Sequence, residues 1–247
     1  MSAGATFKAD LGVIGAGPAG VACAVQARRE GLSVCAFDPG PAGGLVAAAH
    51  RVDNLPTTPE GVRGEVLARR LARALKRFSV EHVPRAVLAI DGPDEATPEK
   101  RWVVHVGRPS AWALGFRALC VATGTRPRAL PAGLALGPPA ARDVRELPAR
   151  LAGARVAILG GGDAALDAAL ECAHRGARVD VLVRAPRPRA IAPLVEAVAL
   201  QPAIRVHLGW ELANAQRKEA IGSWSLVPAE GTSSLQVDHL LVQIGRV

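Results

Sequence analysis

The stretch from residue 9 to residue 38 constrains the fold more than any other part of the chain. A short apolar run, Leu11 to Ile14, leads into the glycine-rich hexapeptide GAGPAG, and a helical pattern then runs from about Pro18 to Glu30. Gly31 ends that helix, and a second apolar run extends from Ser33 to Phe37. This order predicts a strand–turn–helix–strand unit of a parallel α/β sheet.

The glycines of this turn have separate roles in a dinucleotide-binding unit. Gly15 permits a sharp turn, Gly17 leaves room for a pyrophosphate, and Gly20 lets the helix pack closely on the strand. Phosphates can then meet the unpaired N–H groups at the helix N-terminus. Asp38 follows the second strand, where its carboxylate can accept hydrogen bonds from ribose hydroxyls. The unit is therefore predicted to bind a dinucleotide rather than to form an ordinary glycine-rich loop.

The same pattern returns at residues 155–184, RVAILGGGDAALDAALECAHRGARVDVLVR. The three fingerprint positions and the strand end are here occupied by Gly160, Gly162, Ala165 and Val183. Three arginines follow the strand, namely Arg184, Arg187 and Arg189. An acid at the strand end selects a free ribose 2′-hydroxyl, whereas arginines can pair with a 2′-phosphate. We expect NADP rather than NAD at this second site; the alternative is that the arginines only cover an exposed strand end.

Composition narrows the class of protein. The 247 residues are 49% hydrophobic, but no apolar stretch approaches the roughly 18 residues of a membrane span, and no signal core precedes the first strand. We therefore expect a cytoplasmic protein with no membrane partner. The net charge is +8, yet the aromatic content is 3% and tyrosine is absent, which argues against a nucleic-acid partner. The charge indicates either a solvated basic surface or attraction to an acidic partner.

The rest of the chain predicts supporting structure. An amphipathic helix with a solvated basic face is expected at residues 64–79, and period-two runs between Val83 and Val121 predict a small antiparallel layer. Two tryptophans are expected to pack in the core rather than stack on a ring, and all four cysteines are expected in the core: Trp210, Trp224, Cys23, Cys35, Cys120 and Cys172. The predicted fold class is α/β, with two Rossmann-like dinucleotide-binding units and small antiparallel layers. No metal site is predicted, because no cysteine and histidine have ligand spacing.

Taken together, the two fingerprints, the Gly43-Gly44 loop, the Ala122-Thr123-Gly124 segment and the closing Ile244-Gly245 strand resemble the thioredoxin reductase family of two-dinucleotide flavoproteins. The resemblance implies an FAD-binding domain at residues 1–124 and an NAD(P)H-binding domain at 125–247. In members of that family the chain then returns to complete the FAD-binding domain. It implies FAD contacts by Gly15, Gly17, Pro18, Ala19, Gly20, Asp38, Gly43, Gly44, Asn54, Val87, Thr123 and Gly124. It implies cofactor contacts further on by Gly160, Gly162, Asp163, Ala164, Arg184, Arg189, Ile244 and Gly245.

The sequence departs from that family at the redox centre. Residues 131–155 contain no cysteine, although the CxxC of thioredoxin reductases lies there, and disulfide exchange needs an attacking thiolate and a resolving partner. Leu45 replaces the usual glutamine beside the flavin, Ala185 replaces the middle arginine, and the chain ends at Val247 before the family's flavin-covering segment. The expectations are that the chain is a fragment, that its flavin pocket is left open, or that a second copy in a homodimer or another partner chain completes the pocket.

The resemblance therefore implies an FAD-dependent oxidoreductase that takes hydride from NADPH, with NADH less favoured, and passes electrons to an acceptor other than a dithiol. No catalytic side chain is predicted, because the cofactors carry the redox chemistry. The cysteine pattern is similar to that of thioredoxin-reductase-like ferredoxin–NADP reductases, which implies an acidic, ferredoxin-like partner. The alternative is a truncated, non-catalytic dinucleotide-binding module or a subunit of a larger redox complex.

Overall fold

The computed structural model describes residues 6–93, 101–107, 112–130, 140–218, 223–230 and 234–247. The chain divides into two compact units. The first comprises Met1–Ala47 and Val52–Gly124, and the second comprises Ala48–Arg51 and Thr125–Val247. The short segment 48–51 is thus assigned to the second unit, where the His50 N–H donates to Asp167 Oδ2 at 2.8 Å. No sequence pattern indicates this assignment, because the segment closely follows the Gly43-Gly44 loop of the first unit.

The first unit is built on one six-stranded sheet. Its strands and helices are β1 (Thr6–Ile14), α1 (Pro18–Arg29), β2 (Val34–Phe37), α2 (Gly64–Arg77), β3 (Glu81–Val83), β4 (Val87–Asp91), β5 (Trp102–Val106) and β6 (Trp112–Val121). The strand order is β3-β2-β1-β6-β5-β4. Strand β6 pairs in parallel with β1 and antiparallel with β5. The predicted antiparallel layer therefore exists, but β6 makes it continuous with the parallel sheet.

Apolar side chains cover both faces of this sheet. On one face α1 and α2 pack through Val21, Ala24 and Leu75, as the amphipathic pattern of residues 64–79 predicts. On the other face the Phe37 and Phe116 rings meet edge to face at 5.7 Å. Pro18 stands in the first turn of α1, where its missing N–H costs no hydrogen bond, and Gly31 ends the helix region at φ +83°.

The second unit stacks an antiparallel sheet on a parallel one. Its elements are β7 (Arg155–Leu159), α3 (Asp163–His174), β8 (Arg178–Val183), α4 (Ala192–Ala199), β9 (Ile204–Leu208), β10 (Leu212–Lys218), β11 (Ser223–Pro228), β12 (Leu235–Val237) and β13 (His239–Val242). The parallel sheet has the order β13-β7-β8-β9, and the antiparallel sheet has the order β10-β11-β12. Helices α3 and α4 cover one face, while Trp224 and Leu226 of β11 pack on the other. Both tryptophans lie in or against this second cluster, as predicted.

Two sequence predictions need correction, and a third lies outside the described residues. The closing strand was expected to end in Ile244-Gly245, but β13 ends at Val242. Residues 245–247 instead pair with 126–128, and the Arg128 N–H donates to the Gly245 carbonyl at 3.0 Å. Two of the four cysteines, Cys23 and Cys120, are only partly buried, although they pack against the apolar cluster. Residues 131–139 of the proline- and glycine-rich stretch at 125–150, which the sequence predicts to connect two folding units, lie outside the described part of the chain. Within the described residues, no helix is long and apolar enough to cross a bilayer.

Candidate functional site: two dinucleotide cradles

The first glycine-rich turn is held between two neighbouring strands. Gly15 adopts φ +107°, and its N–H donates to the Phe37 carbonyl at the end of β2 at 2.7 Å. A Cβ on Gly15 would lie 2.2 Å from the Ala122 carbonyl oxygen and 3.2 Å from the Thr123 nitrogen. Only glycine satisfies both the backbone angle and this close approach. The Ala122-Thr123 segment thus lies against the turn, while the predicted contact of Thr123 with FAD stays a prediction.

The next two glycines of this turn have opposite surroundings. A Cβ on Gly20 would lie 1.9 Å from the Gly15 carbonyl oxygen, so α1 packs directly on the turn. A Cβ on Gly17 would meet nothing within 4 Å. Gly17 is also the N-cap of α1, and no side chain caps this end of the helix. The space and the helix N–H groups together form a cradle for an anionic group, which we name the first cradle.

Asp38 ties the second strand to this cradle. Its Oδ2 accepts a hydrogen bond from the Ala16 N–H at 2.8 Å, and its Oδ1 accepts one from the Gly40 N–H at 2.9 Å. A carboxylate has about four acceptor positions, so two remain for the hydroxyls of a ribose. The Ala16 N–H contact was not predicted, because no sequence signal marks a backbone donor.

The Gly43-Gly44 loop lies against the same turn. The Gly43 N–H donates to the Ala16 carbonyl at 2.8 Å, and a Cβ on Gly44 would lie 3.0 Å from Gly17 Cα. Gly43 has φ +120°, and a Cβ there would lie 2.5 Å from the Ala68 Cβ of α2. The structure therefore brings the predicted GG loop to the first cradle and shows why its first residue is glycine.

Two predicted FAD residues have no described contact with the first cradle. Asn54 is exposed in a loop that Val52 and Val62 close by hydrogen bonds of 2.8 and 3.0 Å. Between described residues, no hydrogen bond joins Asn54 to the glycine turn. Val87 begins β4 and pairs with Val106, four residues after Val83, whose carbonyl accepts the Asp38 N–H at 3.2 Å. Their roles in FAD binding stay predictions, as does that of Gly124, which has φ +66° beyond β6.

The second glycine-rich turn repeats the first in a different unit. The Gly160 N–H donates to the Leu182 carbonyl at 3.0 Å, and Gly160 has φ +143°. A Cβ on Gly160 would lie 2.1 Å from the Gln243 carbonyl oxygen, whereas a Cβ on Gly162 would meet nothing within 4 Å. Gly162 is the N-cap of α3, and no side chain caps it. This turn and the N-terminus of α3, including Asp163 and Ala164, form the second cradle.

The arginine-containing segment after β8 folds back on the second cradle. The Arg189 N–H donates to the Gly161 carbonyl at 2.7 Å, and the Ile191 N–H donates to Asp163 Oδ1 at 2.9 Å. Arg184 is 76% exposed, and its Nη1 lies 3.8 Å from Glu211 Oε1. The sequence analysis missed Glu211, because it lies far along the chain from the fingerprint. It also missed Gly161, whose added Cβ would lie 2.6 Å from Val183 Cγ1, although the GGG run itself was a visible signal.

The remaining predicted cofactor residues, Ile244 and Gly245, follow Gln243, the residue whose carbonyl lies against Gly160. Ile244 packs against the apolar cluster of the second unit, and Gly245 pairs with Arg128. Among the described residues, neither Ile244 nor Gly245 contacts the glycines of a cradle. Their cofactor role stays a prediction.

The thiol pKa is raised at three of the four cysteines. Burial raises the pKa of both Cys35 and Cys172 to about 12. Burial, followed by a hydrogen bond with Cys120, also raises the pKa of Cys23. A thiol attacks as its thiolate, so these three groups are poor nucleophiles at neutral pH.

Comparison with known proteins supports this arrangement. The chain is 26% identical over 233 residues to NADPH-dependent thioredoxin reductase 3 of Arabidopsis thaliana, and this alignment covers 85% of the chain and 40% of the relative. It is 34% identical over 197 residues to the ferredoxin–NADP reductase of Saccharopolyspora erythraea, which covers 77% of the chain and 58% of the relative. The chain therefore spans less than two thirds of the length of either relative. The crystal structure of T. acidophilum thioredoxin reductase matches 97% of the chain and 77% of its own length, with a TM-score of 0.79 and 20% identity.

The fold and the two cradles define the class: oxidoreductases that combine a flavin with a pyridine nucleotide. The chain belongs to the pyridine nucleotide-disulphide oxidoreductase family, whose model matches residues 9–247. Thioredoxin reductases and ferredoxin–NADP reductases among its relatives use FAD and NADPH. The predicted fold class, family and class of enzyme are confirmed.

Proposed function

We propose that this chain is an FAD-dependent oxidoreductase that takes hydride from NADPH and passes electrons to an acidic, ferredoxin-like protein. One observation carries the proposal. Two uncapped helix N-termini stand behind two open glycines, Gly17 and Gly162, and the charged residue that follows the second strand is Asp38 in the first unit and Arg184 in the second. FAD and NADPH, when bound, supply the hydride chemistry, while the protein binds and orients them.

FAD is assigned to the first cradle because of the Asp38 carboxylate. Asp38 keeps an acceptor face for ribose hydroxyls, and the same charge would repel a 2′-phosphate. The N-terminus of α1 offers N–H groups to the pyrophosphate, and its first turn contains no acidic side chain. The domain assignment follows, with FAD in residues 1–124 and NADPH in 125–247.

NADPH is assigned to the second cradle because arginines follow its second strand. Buried Val183 occupies the place of the acid, and Arg184 and Arg189 lie on the segment that hydrogen-bonds to the turn. Guanidinium groups pair well with a 2′-phosphate because their N–H donors match its oxygens. The names of the two relatives, an NADPH-dependent reductase and a ferredoxin–NADP reductase, support the same cofactor.

A one-electron protein acceptor suits the chain better than a disulfide. Its four cysteines include no CxxC, and three of them have raised pKa values. The net charge of +8 would attract an acidic partner, and much of it lies on the exposed face of α2, which carries Arg69, Arg70, Arg73, Lys76 and Arg77. Electrostatic attraction of this kind raises association rates and weakens with salt.

The proposal is tested by an absorbance spectrum and by turnover. Purified protein incubated with FAD should show bound flavin, and NADPH should bleach it. With ferricyanide, and with a ferredoxin coupled to cytochrome c, we expect steady NADPH oxidation, whereas thioredoxin with an insulin or aromatic disulfide should give none. Raising the salt concentration should raise the KM for ferredoxin but not that for menadione, an uncharged acceptor.

Three outcomes would contradict the proposal. Protein that stays colourless with FAD has no flavin site, and saturable NADPH binding without turnover would instead indicate a non-catalytic dinucleotide-binding module. Reduction of thioredoxin would show that the electron acceptor is a disulfide, which becomes a dithiol. The predicted homodimer or completing partner chain is checked separately by light scattering.

A further inference from the structure

A cavity of about 620 Å³ lies in the second unit at the opposite end of the parallel sheet from the glycine turn. We name it the amino-end cavity, because the first residues of three adjacent parallel strands, β7, β8 and β9, line it. Its charged lining consists of Arg155, Arg178, Asp180 and Arg205. Its apolar lining includes Pro202, Ala203 and Ile204. Small-molecule sites commonly have a volume of roughly 300–1,000 Å³.

Sheet register places the charged side chains on one face. Arg155 pairs with Arg178 across β7 and β8, and Asp180 pairs with Arg205 across β8 and β9. Side chains alternate along a strand, so Arg178 and Asp180 share a face, and their partners in register share it too. The guanidinium groups of Arg155, Arg178 and Arg205 therefore start from the same face of the sheet as the Asp180 carboxylate.

Asp180 is 4% exposed and is fully engaged by its neighbours. Its Oδ2 accepts from Arg155 Nε at 2.7 Å, and its Oδ1 lies 2.7 Å from His207 Nε2. Burial opposes its ionisation, but the hydrogen bonds from Arg155 and His207 outweigh burial and lower its pKa. Arg155 is thus held in place at the cavity wall, and the second carboxylate nearby, that of Asp238, accepts from the Arg155 backbone N–H at 2.8 Å.

Two of the arginines have no such partner. Over the described ranges, the structure gives neither Arg178 nor Arg205 an ion pair or a side-chain hydrogen bond, and both are exposed. Each guanidinium presents donors in a planar fork that matches phosphate oxygens. The cavity between them combines unpaired positive charge with an apolar wall.

We propose that the amino-end cavity binds a small phosphorylated organic molecule. Arg178 and Arg205 hold its phosphate group, Arg155 adds charge from a position fixed by Asp180, and Pro202 and Ile204 contact its organic part. The site is separate from the second cradle. Five residue steps along β8, from Arg178 to Val183, span roughly 17 Å at about 3.3 Å per residue. The proposal therefore concerns a binding site apart from the cradles, and it holds whether or not the chain oxidises NADPH.

Calorimetric titration with phenyl phosphate tests the site. The protein is first saturated with FAD and NADP⁺, so that anions cannot enter the two cradles. Wild-type protein should bind one phenyl phosphate, and R178Q/R205Q should bind it at least about tenfold more weakly, because two charge-assisted contacts are lost. R70Q/R73Q is the matched control: it removes the same charge from exposed positions of α2 and should retain wild-type affinity.

The result depends on three comparisons. Inorganic phosphate should bind more weakly than phenyl phosphate, since it cannot use the apolar wall; equal affinity would overturn the organic part of the proposal. Equal weakening by R70Q/R73Q and R178Q/R205Q would show a general charge effect and overturn the site. Absence of binding to wild-type protein at millimolar concentration would do the same. Unchanged melting temperatures of both variants would show that loss of binding is not loss of folding.

Discussion

The two cradles are built from the same backbone contacts but have different side chains around them. In each, the first glycine donates to the second strand and lies against a carbonyl of a neighbouring strand, that of Ala122 in one and Gln243 in the other. In each, the next glycine of the fingerprint faces open space at an uncapped helix. These shared features depend on backbone geometry alone, so the two turns are compatible with the two different dinucleotides proposed for them.

The differences lie at the edges of the turn. Gly20 of the first cradle is replaced by Ala165 in the second, and Asp38 is replaced by Val183 followed by Arg184. In the first cradle a carboxylate accepts the Ala16 N–H, whereas in the second the Gly161 carbonyl accepts the N–H of Arg189. This division fits the proposed roles, in which the turn binds phosphate and the residues after the second strand select the ribose.

The largest expected effect concerns the third fingerprint position. Substitution G20A would place a Cβ 1.9 Å from the Gly15 carbonyl oxygen. Because that oxygen belongs to a backbone held by two strands, we expect a loss of about 3 kcal/mol in the free energy of unfolding. Urea unfolding followed by circular dichroism measures it. The reverse change in the second unit, A165G, is the control and should cost only about 1 kcal/mol. Equal losses would mean that the two turns do not differ in packing.

Substitution of the open glycine in either cradle should change stability less than G20A does, but should strongly weaken dinucleotide binding. G17V and G162V each place a side chain where the protein itself has no atom within 4 Å of the added Cβ. We expect near-normal melting temperatures, but about 100-fold weaker binding of the matching dinucleotide, equivalent to about 2.7 kcal/mol. Each variant is titrated with FAD and with NADPH. If G17V weakened NADPH and left FAD unchanged, the cofactor assignment of the two cradles would be reversed.

Local patterns explain why so much of these cradles was predictable. The fingerprint glycines, Asp38 and the two helix starts lie within a few residues of one another, so turn chemistry and periodicity specify them. The count from Gly160 to Val183 also located the strand end correctly, because the Leu182 carbonyl accepts the Gly160 N–H just as the Phe37 carbonyl accepts that of Gly15.

Features set by distant pairing were not predictable. A period-two pattern shows that β6 is a strand, but not that it joins a parallel and an antiparallel partner. The same limit explains why Gly245 was assigned to a strand: an apolar run shows no stop, and pairing with Arg128 decides its conformation. The partly exposed Cys23 and Cys120 lie in helix and strand patterns that indicate a core face, but tertiary packing sets the depth of burial.

The charged residues at the strand ends should each affect only their own cofactor. D38N removes the negative charge of the carboxylate that accepts hydrogen bonds from the Ala16 and Gly40 N–H groups. It should weaken FAD binding about tenfold, because hydrogen bonds to a charged group are stronger than those to a neutral one. R184Q/R189Q should raise the KM for NADPH about tenfold and leave that for NADH unchanged. Flavin fluorescence titration and steady-state kinetics measure the two effects. A parallel rise in both KM values would mean that these arginines support the fold rather than contact a 2′-phosphate.

The smallest expected effect involves Glu211, the residue whose proximity to Arg184 no sequence pattern indicated. Its Oε1 lies 3.8 Å from Arg184 Nη1, and both side chains are more than half exposed, so the pair itself contributes little. Its negative charge nevertheless stands beside the group proposed to bind a 2′-phosphate. E211Q should therefore lower the KM for NADPH by about twofold, mostly at low salt, without changing that for NADH. E196Q removes a carboxylate from the exposed face of α4 and is the control. If both variants changed both KM values equally, the effect would reflect net charge, and Arg184 would have no special role in distinguishing the two nucleotides.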